Sequence, residues 1–195
     1  GHPRWATHGR VTELNAHPHE AAGFVLVHNG IIENYLALKE KLSAEGHEFR
    51  TETDTEVIVH LIAKHFTGDL TTAVHMALQE VVGAYAIAVL STDDPNTVVG
   101  ARSGCPLVVG LGQGAYFLAS DVPAVLNHTR EVIFLDDGEV ATLTREGVRV
   151  SSLDGQMVTK DIRHVTWDPI MAEKGGYKHF MLKEIFEQPR AVLDT

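Results

Sequence analysis

Apolar positions follow two different rhythms along this chain, and the change between them divides it. Gly23-Phe24-Val25-Leu26-Val27 is a short apolar run that predicts a buried strand stopping at Asn29-Gly30. Immediately afterwards Ile31, Ile32, Tyr35, Leu36, Leu38 and Leu42 recur at helical spacing as far as Gly46, a common helix-ending residue. Thr53-Asp54-Thr55-Glu56 has the form of a capping box, so the Thr53 hydroxyl and the Glu56 carboxylate are expected to satisfy free amides at a second helix start. Val57, Ile58, Leu61 and Ile62 supply the buried stripe of that helix, and a third is expected over Thr71 to Val81.

From Gly83 the rhythm becomes that of strands. Tyr85 to Leu90, Val98-Val99, Leu107 to Val109, Tyr116 to Leu118, Val132 to Leu135, Val140 to Leu143 and Val148 to Val150 are short β-rich runs, punctuated by turns such as Asp136-Asp137-Gly138. Connections this short predict antiparallel pairing, because parallel neighbours need crossovers. Helices gathered early and strands gathered late predict an α+β layered domain over residues 1–170. Residues 171–195 differ: Gly175-Gly176 loosens the chain, and Tyr177 to Gln188 predicts a short helix closed by Pro189, a connector leaving the domain.

Composition narrows the function. Hydrophobic residues at 44% and charged residues at 22%, with no low-complexity tract, describe a folded chain and exclude disorder as its main state. Lys and Arg total 16 against 26 Asp and Glu, so a net charge of −10 argues against nucleic acid or an anionic membrane as partner. The longest nearly apolar run, Val81 to Leu90, is half the ~20 residues that a bilayer span needs, and a cytoplasmic protein is expected. A lone cysteine, Cys105, excludes an internal disulfide and any multi-cysteine metal site. His17 and His19 alternate without acidic or thiol companions at zinc spacing, so no metal is expected. Gly110, Gly112 and Gly114 imitate a dinucleotide loop, but a strand-like Tyr-Phe-Leu follows where a helix is required, and no cofactor is expected.

Four short motifs remain as carriers of chemistry: Arg4-Trp5-Ala6-Thr7-His8-Gly9, Asn15-Ala16-His17-Pro18-His19, His28-Asn29-Gly30 and Thr53-Asp54-Thr55-Glu56. Singly, each has an ordinary reading: Asn29-Gly30 as a tight turn, Asp54 as a charge at a helix start, Arg4 as a surface ion-pair partner. Together, with Ala101-Arg102-Ser103-Gly104 and Lys183-Glu184-Ile185-Phe186-Glu187-Gln188-Pro189, they resemble the glutaminase domain of class II amidotransferases, most closely the glutamine:fructose-6-phosphate amidotransferase family.

The resemblance implies an N-terminal-nucleophile hydrolase fold, an αββα sandwich of antiparallel sheets, here without its first segment. It implies L-glutamine as substrate, hydrolysed to glutamate and ammonia for making glucosamine 6-phosphate. Arg4 then matches the group that holds the α-carboxylate of glutamine, and Asp54 the one that holds its α-ammonium. Asn29 and Gly30 match the side-chain and backbone amides that stabilise the tetrahedral oxyanion. Trp5, Thr7 and His8 match pocket and channel residues. The fructose 6-phosphate site and a homodimer interface are implied for parts of the parent enzyme beyond this chain.

Family members attack with a cysteine at the mature N-terminus, whose α-amino group serves as base. This chain begins with Gly1, and Cys105 does not substitute by position, so the expectation is a chain that binds glutamine without turning it over. Two alternatives stand beside it: a shortened glutamine-binding or interaction module that never carried the nucleophile, and the glutaminase part of a sibling class II amidotransferase.

Overall fold

The computed structural model describes residues 9–166 together with Met181, Leu182, Ile185, Phe186 and Gln188. Arg4, Trp5, Thr7 and His8 lie outside the described residues, as does most of the expected connector; its five described residues are helical.

The elements in chain order are β1 (His19–Ala21), β2 (Phe24–Ile32), α1 (Tyr35–Ala44), α2 (Glu56–His65), α3 (Leu70–Gln79), β3 (Gly83–Ser91), β4 (Val98–Ser103), β5 (Val108–Leu111), β6 (Tyr116–Ala119), β7 (Glu131–Phe134), β8 (Glu139–Thr144), β9 (Gly147–Ser152), β10 (Met157–Val158) and β11 (Arg163–His164). They form a seven-stranded sheet, β1-β2-β3-β4-β8-β9-β10, and a four-stranded sheet, β11-β7-β5-β6. Every pairing of these strands is antiparallel, as the short connections predict.

Period-two alternation decides which layer each strand residue joins. Leu26 and Ile32 of β2, Ile87 and Val89 of β3 and Val99 of β4 pack against Leu42 of α1, Ile58 and Leu61 of α2 and Leu78 of α3. Their neighbours on the opposite face, Ala86, Ala141, Leu143 and Val150, meet Val109, Ile133 and Leu107 of the smaller sheet and its approach loop. The outer face of that sheet is covered by the single helical turn Val122–Ala124, with Val122 and Val125 on Val108 and Val132. The described layers are therefore helix, sheet, sheet, the α+β arrangement expected.

Two local expectations are corrected. The strand does not stop at Asn29-Gly30. β2 runs through both to Ile32, paired residue by residue with β3 from Phe24↔Ser91 to Ile32↔Gly83, so Ile31 and Ile32 belong to the strand and α1 begins only at Tyr35. Nine continuous pairs outweigh a local turn preference. The Thr53 capping box also fails to form: α2 starts at Glu56, with Thr55 preceding it and no side-chain cap bond. The Thr53 hydroxyl bonds the Thr51 hydroxyl instead, and Glu56 turns back to the preceding loop. Elsewhere the local signals hold. Gly46 ends α1 at φ +96°, with the His47 amide donating to the Leu42 carbonyl, and Asp69 caps α3 by accepting from the Thr72 amide.

Candidate active site

β2 carries the candidate residues Asn29 and Gly30, and beyond β1 its outer edge is open. β1 pairs only with Phe24, Val25 and Leu26, so from Val27 onward that edge has no strand neighbour among the described residues. Which amides face it follows from the register. The Glu33 amide donates to the Val82 carbonyl across the β2–β3 ladder at 2.8 Å. Backbone groups alternate along a strand, so the amides of Gly30 and Ile32 point away from β3, toward the open edge.

Asp54 sits on that edge. It is 3% exposed, and its Oδ2 accepts the Ile32 amide at 2.8 Å. The next residue, Thr55, is buried as well, and its hydroxyl is hydrogen-bonded to Nδ1 of buried His28 across 3.0 Å. Asp54-Thr55 therefore straddles Gly30, held two residues ahead of it at Ile32 and two residues behind it at His28. The Gly30 amide and the Asp54 carboxylate face one another's neighbourhood along a single strand edge.

Gly30 answers to the fold as well as to any ligand. Its φ is +129°, and a Cβ there would lie 2.0 Å from the Ala84 carbonyl oxygen and 2.7 Å from the carbonyl carbon, so the β3 backbone excludes a side chain. Asn29 projects on the other face, into a cleft of about 680 Å³ between the two sheets, lined also by Val27, Ala88, Phe117 and Leu118.

The loop before α2 is tied down by acids. Glu56 is 2% exposed; its Oε1 accepts the Arg50 amide and its Oε2 the Thr51 amide, both at 2.8 Å, and Oε2 also accepts the Thr51 hydroxyl at 2.7 Å. Burial alone would push this carboxyl up. His60, whose Nε2 stands 3.7 Å away, and the Arg50 and Thr51 donors outweigh burial and hold it at about 2. Glu52 accepts the Arg10 amide at 3.0 Å, and Asn15 bridges the Arg10 carbonyl and both ends of Glu52. The chain leaving the Arg4–Gly9 motif is thus fastened beside Glu52, two residues from Asp54.

Among the described candidates, the structure joins Gly30 and Asp54 on one edge and sets Asn29 beside them on β2. His17 and His19 pack edge to face, with ring centroids 5.0 Å apart. Cys105 is half-buried against the inter-sheet core, and burial pushes its thiol up, the reverse of what a nucleophile needs. Sequence reasoning passed over His28 and Thr55 as partners; their adjacency to Asn29 and Asp54 was the available signal. It also passed over Asp137, whose Oδ1 accepts from Arg102 at 2.6 Å and from the Gly104 amide at 2.9 Å, so that it shapes the Arg102-Ser103-Gly104 loop. Gly104 in turn bridges to Tyr85, the residue opposite Gly30.

An open strand edge bearing a backbone amide donor and a buried carboxylate can offer a hydrogen bond to a carbonyl and a counter-charge to a cation. The family model for the glutamine amidotransferase domain matches residues 11–127, and the chain belongs to that family. Its relatives narrow the class. The chain is 56% identical over its whole length to the glutamine–fructose-6-phosphate aminotransferase of Aquifex aeolicus and 57% identical to that of Methanothermobacter thermautotrophicus, and it spans about a third of each, 33%. Among solved structures it resembles the glutamine phosphoribosylpyrophosphate amidotransferase of B. subtilis, with a TM-score of 0.66 and 28% identity over 80% of this chain and 35% of that one.

Proposed function

We propose that this chain is the glutamine-binding, ammonia-releasing part of a glutamine–fructose-6-phosphate aminotransferase. The reading rests on one observation above the others: the Gly30 amide and the Asp54 carboxylate share the open edge of β2, about two strand residues or ~7 Å apart. In an extended glutamine the α-nitrogen and the side-chain carbonyl oxygen are five bonds apart, roughly 6 Å. The spacing suits a ligand whose ammonium lies at Asp54 and whose amide carbonyl lies at Gly30.

In this reading Asp54 holds the ammonium, and the Gly30 amide with the Asn29 side chain stabilises the oxyanion formed when the amide carbon is attacked. Fixed donors at such a position lower the barrier by about 3 kcal/mol each. Arg4 receives the α-carboxylate through its guanidinium fork, and Trp5, Thr7 and His8 serve as pocket residues; Gly9, the next residue in sequence, lies beside Glu52, two residues before Asp54. The thiol that family members carry at a mature N-terminus, which Cys105 does not replace, adds to the amide carbon. Collapse of the adduct breaks the C–N bond and releases ammonia, and water then hydrolyses the remaining thioester to glutamate and regenerates the thiol. The ammonia passes to fructose 6-phosphate bound by the rest of the parent enzyme. The identities of 56% and 57% to two such aminotransferases, against 28% to the phosphoribosylpyrophosphate amidotransferase, favour this acceptor. The lone cysteine and the absence of a long apolar helix among the described residues support a cytoplasmic setting.

Calorimetric titration with L-glutamine tests the reading. Asp54→Asn keeps the side-chain shape and an acceptor for the Ile32 amide while removing the charge, and is expected to weaken binding at least tenfold. Equal heats from parent and variant would remove Asp54 from the pocket.

A further inference from the structure

The Ala101-Arg102-Ser103-Gly104 motif has no part in the glutamine reading, yet it ends one strand away from Gly30. The β3–β4 ladder closes where Ala86 pairs with Arg102, and beyond it Gly104 bridges to Tyr85, whose partner on the other side of β3 is Gly30. The backbone of Ala84 and Tyr85 is therefore held between two glycines. A Cβ on Gly30 would lie 2.0 Å from the Ala84 carbonyl oxygen and 3.0 Å from the Tyr85 Cα, and a Cβ on Gly104 would lie 3.0 Å from the Ala84 Cβ. Contacts this close leave no slack, so a displacement of Gly104 is carried through β3 to Gly30.

One carboxylate oxygen fixes Gly104. Oδ1 of Asp137, in the turn between β7 and β8, accepts the Gly104 amide at 2.9 Å together with Nε of Arg102 at 3.1 Å and Nη2 at 2.6 Å. Nη1 of Arg102 donates to the Leu135 carbonyl at 3.0 Å, and the Gly138 amide donates to the Arg102 carbonyl at 2.8 Å, so loop and turn grip each other from both sides. The Gly104 amide, and then the guanidinium, hold the Asp137 carboxyl below its ordinary value. The Asp137 side chain is 60% exposed, a setting in which an ion pair adds little to stability. Three donors converging on one oxygen define a position instead.

We propose that Arg102 and Asp137 are positioning residues for the Gly30 amide: by pinning Gly104 they hold Ala84 and Tyr85 of β3 against Gly30, and so fix the direction in which its N–H meets the side-chain carbonyl of glutamine. This rests on the glutamine reading and adds to it the support behind the backbone donor. Neither side chain touches the ligand in this arrangement. A donor aimed at a carbonyl oxygen loses strength steeply as its angle opens, so a small rotation of Gly30 is enough to weaken it.

Asp137→Ala and Arg102→Leu break the support from its two sides, and Asp137→Asn keeps an oxygen for the Gly104 amide. The probes are L-glutamine and L-2-aminopentanoate, which has the same α-groups and no side-chain carbonyl. Each is titrated into the 195-residue chain by NMR at millimolar concentration, following the backbone amide signal of Gly30, with thermal melts run beside it. Glutamine affinity is expected to fall about fivefold in Asp137→Ala and Arg102→Leu, with the Gly30 signal at saturation moving back toward its ligand-free position. Asp137→Asn is expected to stay within about twofold of the unsubstituted chain, and aminopentanoate to bind all four proteins within about twofold. Unchanged glutamine affinity and an unchanged Gly30 signal in Asp137→Ala would overturn the proposal. So would equal loss of both ligands, an Asp137→Asn protein as impaired as Asp137→Ala, or an Asp137→Ala chain that does not fold, since each makes the pair a support of the fold and not of the donor. Asp137→Ala decides the matter even where Arg102→Leu does not fold. An unsubstituted chain whose Gly30 amide does not respond to glutamine would overturn the glutamine reading itself, before any variant is compared.

Discussion

Glu56 gives the sharpest quantitative expectation, because its carboxylate is buried and answered by three donors from the loop it stabilises. Its folded-state value of about 2 lies below the ordinary 4.5. A depressed carboxyl contributes stability that is fully present above the unfolded value and is lost as the pH falls through 4.5 toward 2. At about 1.36 kcal/mol for each tenfold change, the interval amounts to about 3 kcal/mol. Glu56→Gln keeps the shape but turns an NH2 group against the Arg50 or Thr51 amide, so at neutral pH it is expected to cost about 2–3 kcal/mol. Urea unfolding followed by circular dichroism, from about pH 6 to about pH 2, compares the two proteins. Other depressed carboxyls, such as Glu80 and Asp137, make both proteins acid-labile, so the difference between the curves isolates Glu56. The curves should lie apart at pH 6 and converge at the acid end. Parallel curves across the whole range would show that the carboxylate charge is not what holds the loop.

Two further substitutions test the frame around the site. Gly30→Ala forces a Cβ to within 2.0 Å of the Ala84 carbonyl at a φ of +129°, and should cost about 3 kcal/mol or more in urea unfolding; a loss under about 1 kcal/mol would mean that β3 yields easily there. Leu61→Ala empties a fully buried position on α2 and is expected to cost about 2–5 kcal/mol by the same measurement, with a near-neutral result indicating that the helix layer collapses into the gap.

The sequence made some of this arrangement legible, and the reason lies in how local each signal is. The stripe of Val57, Ile58, Leu61 and Ile62 needed only its own periodicity, and all four are buried. The seven later strand runs needed only short spacing and β-branched composition, and each seeded a strand. Asn29-Gly30 misled because its turn preference is local, whereas its strand conformation is imposed by β3, which lies more than fifty residues later in the chain. Glu56 misled in the same way. The capping pattern is visible in four residues, but the donors that captured the carboxylate come from Arg50 and Thr51 in the loop before it. β1, β10 and β11, at two or three residues each, are too short to carry a period, so only pairing reveals them.

The errors and the site coincide for one physical reason. An amide that is to face a ligand must be left unpaired by the sheet, so the strand that carries it needs an open edge. Such an edge leaves fewer neighbours to shape the local sequence, and what remains is chosen for approach. Glycine at position 30 admits the β3 backbone on one side and leaves its amide exposed to the open edge on the other. Asparagine at position 29 puts a polar side chain into the inter-sheet cleft, where alternation on a core strand calls for an apolar one. Both choices weaken β2 as a strand read from sequence, and both are what a strand must carry if its edge is to bind a polar substrate. The cost is offset at Asp54, Thr55 and Glu56, whose side chains secure the loop before α2 and tie it to β2 with bonds that a closed sheet would have supplied from another strand. A substitution that loosens the α2 start should change glutamine selectivity before it unfolds the chain.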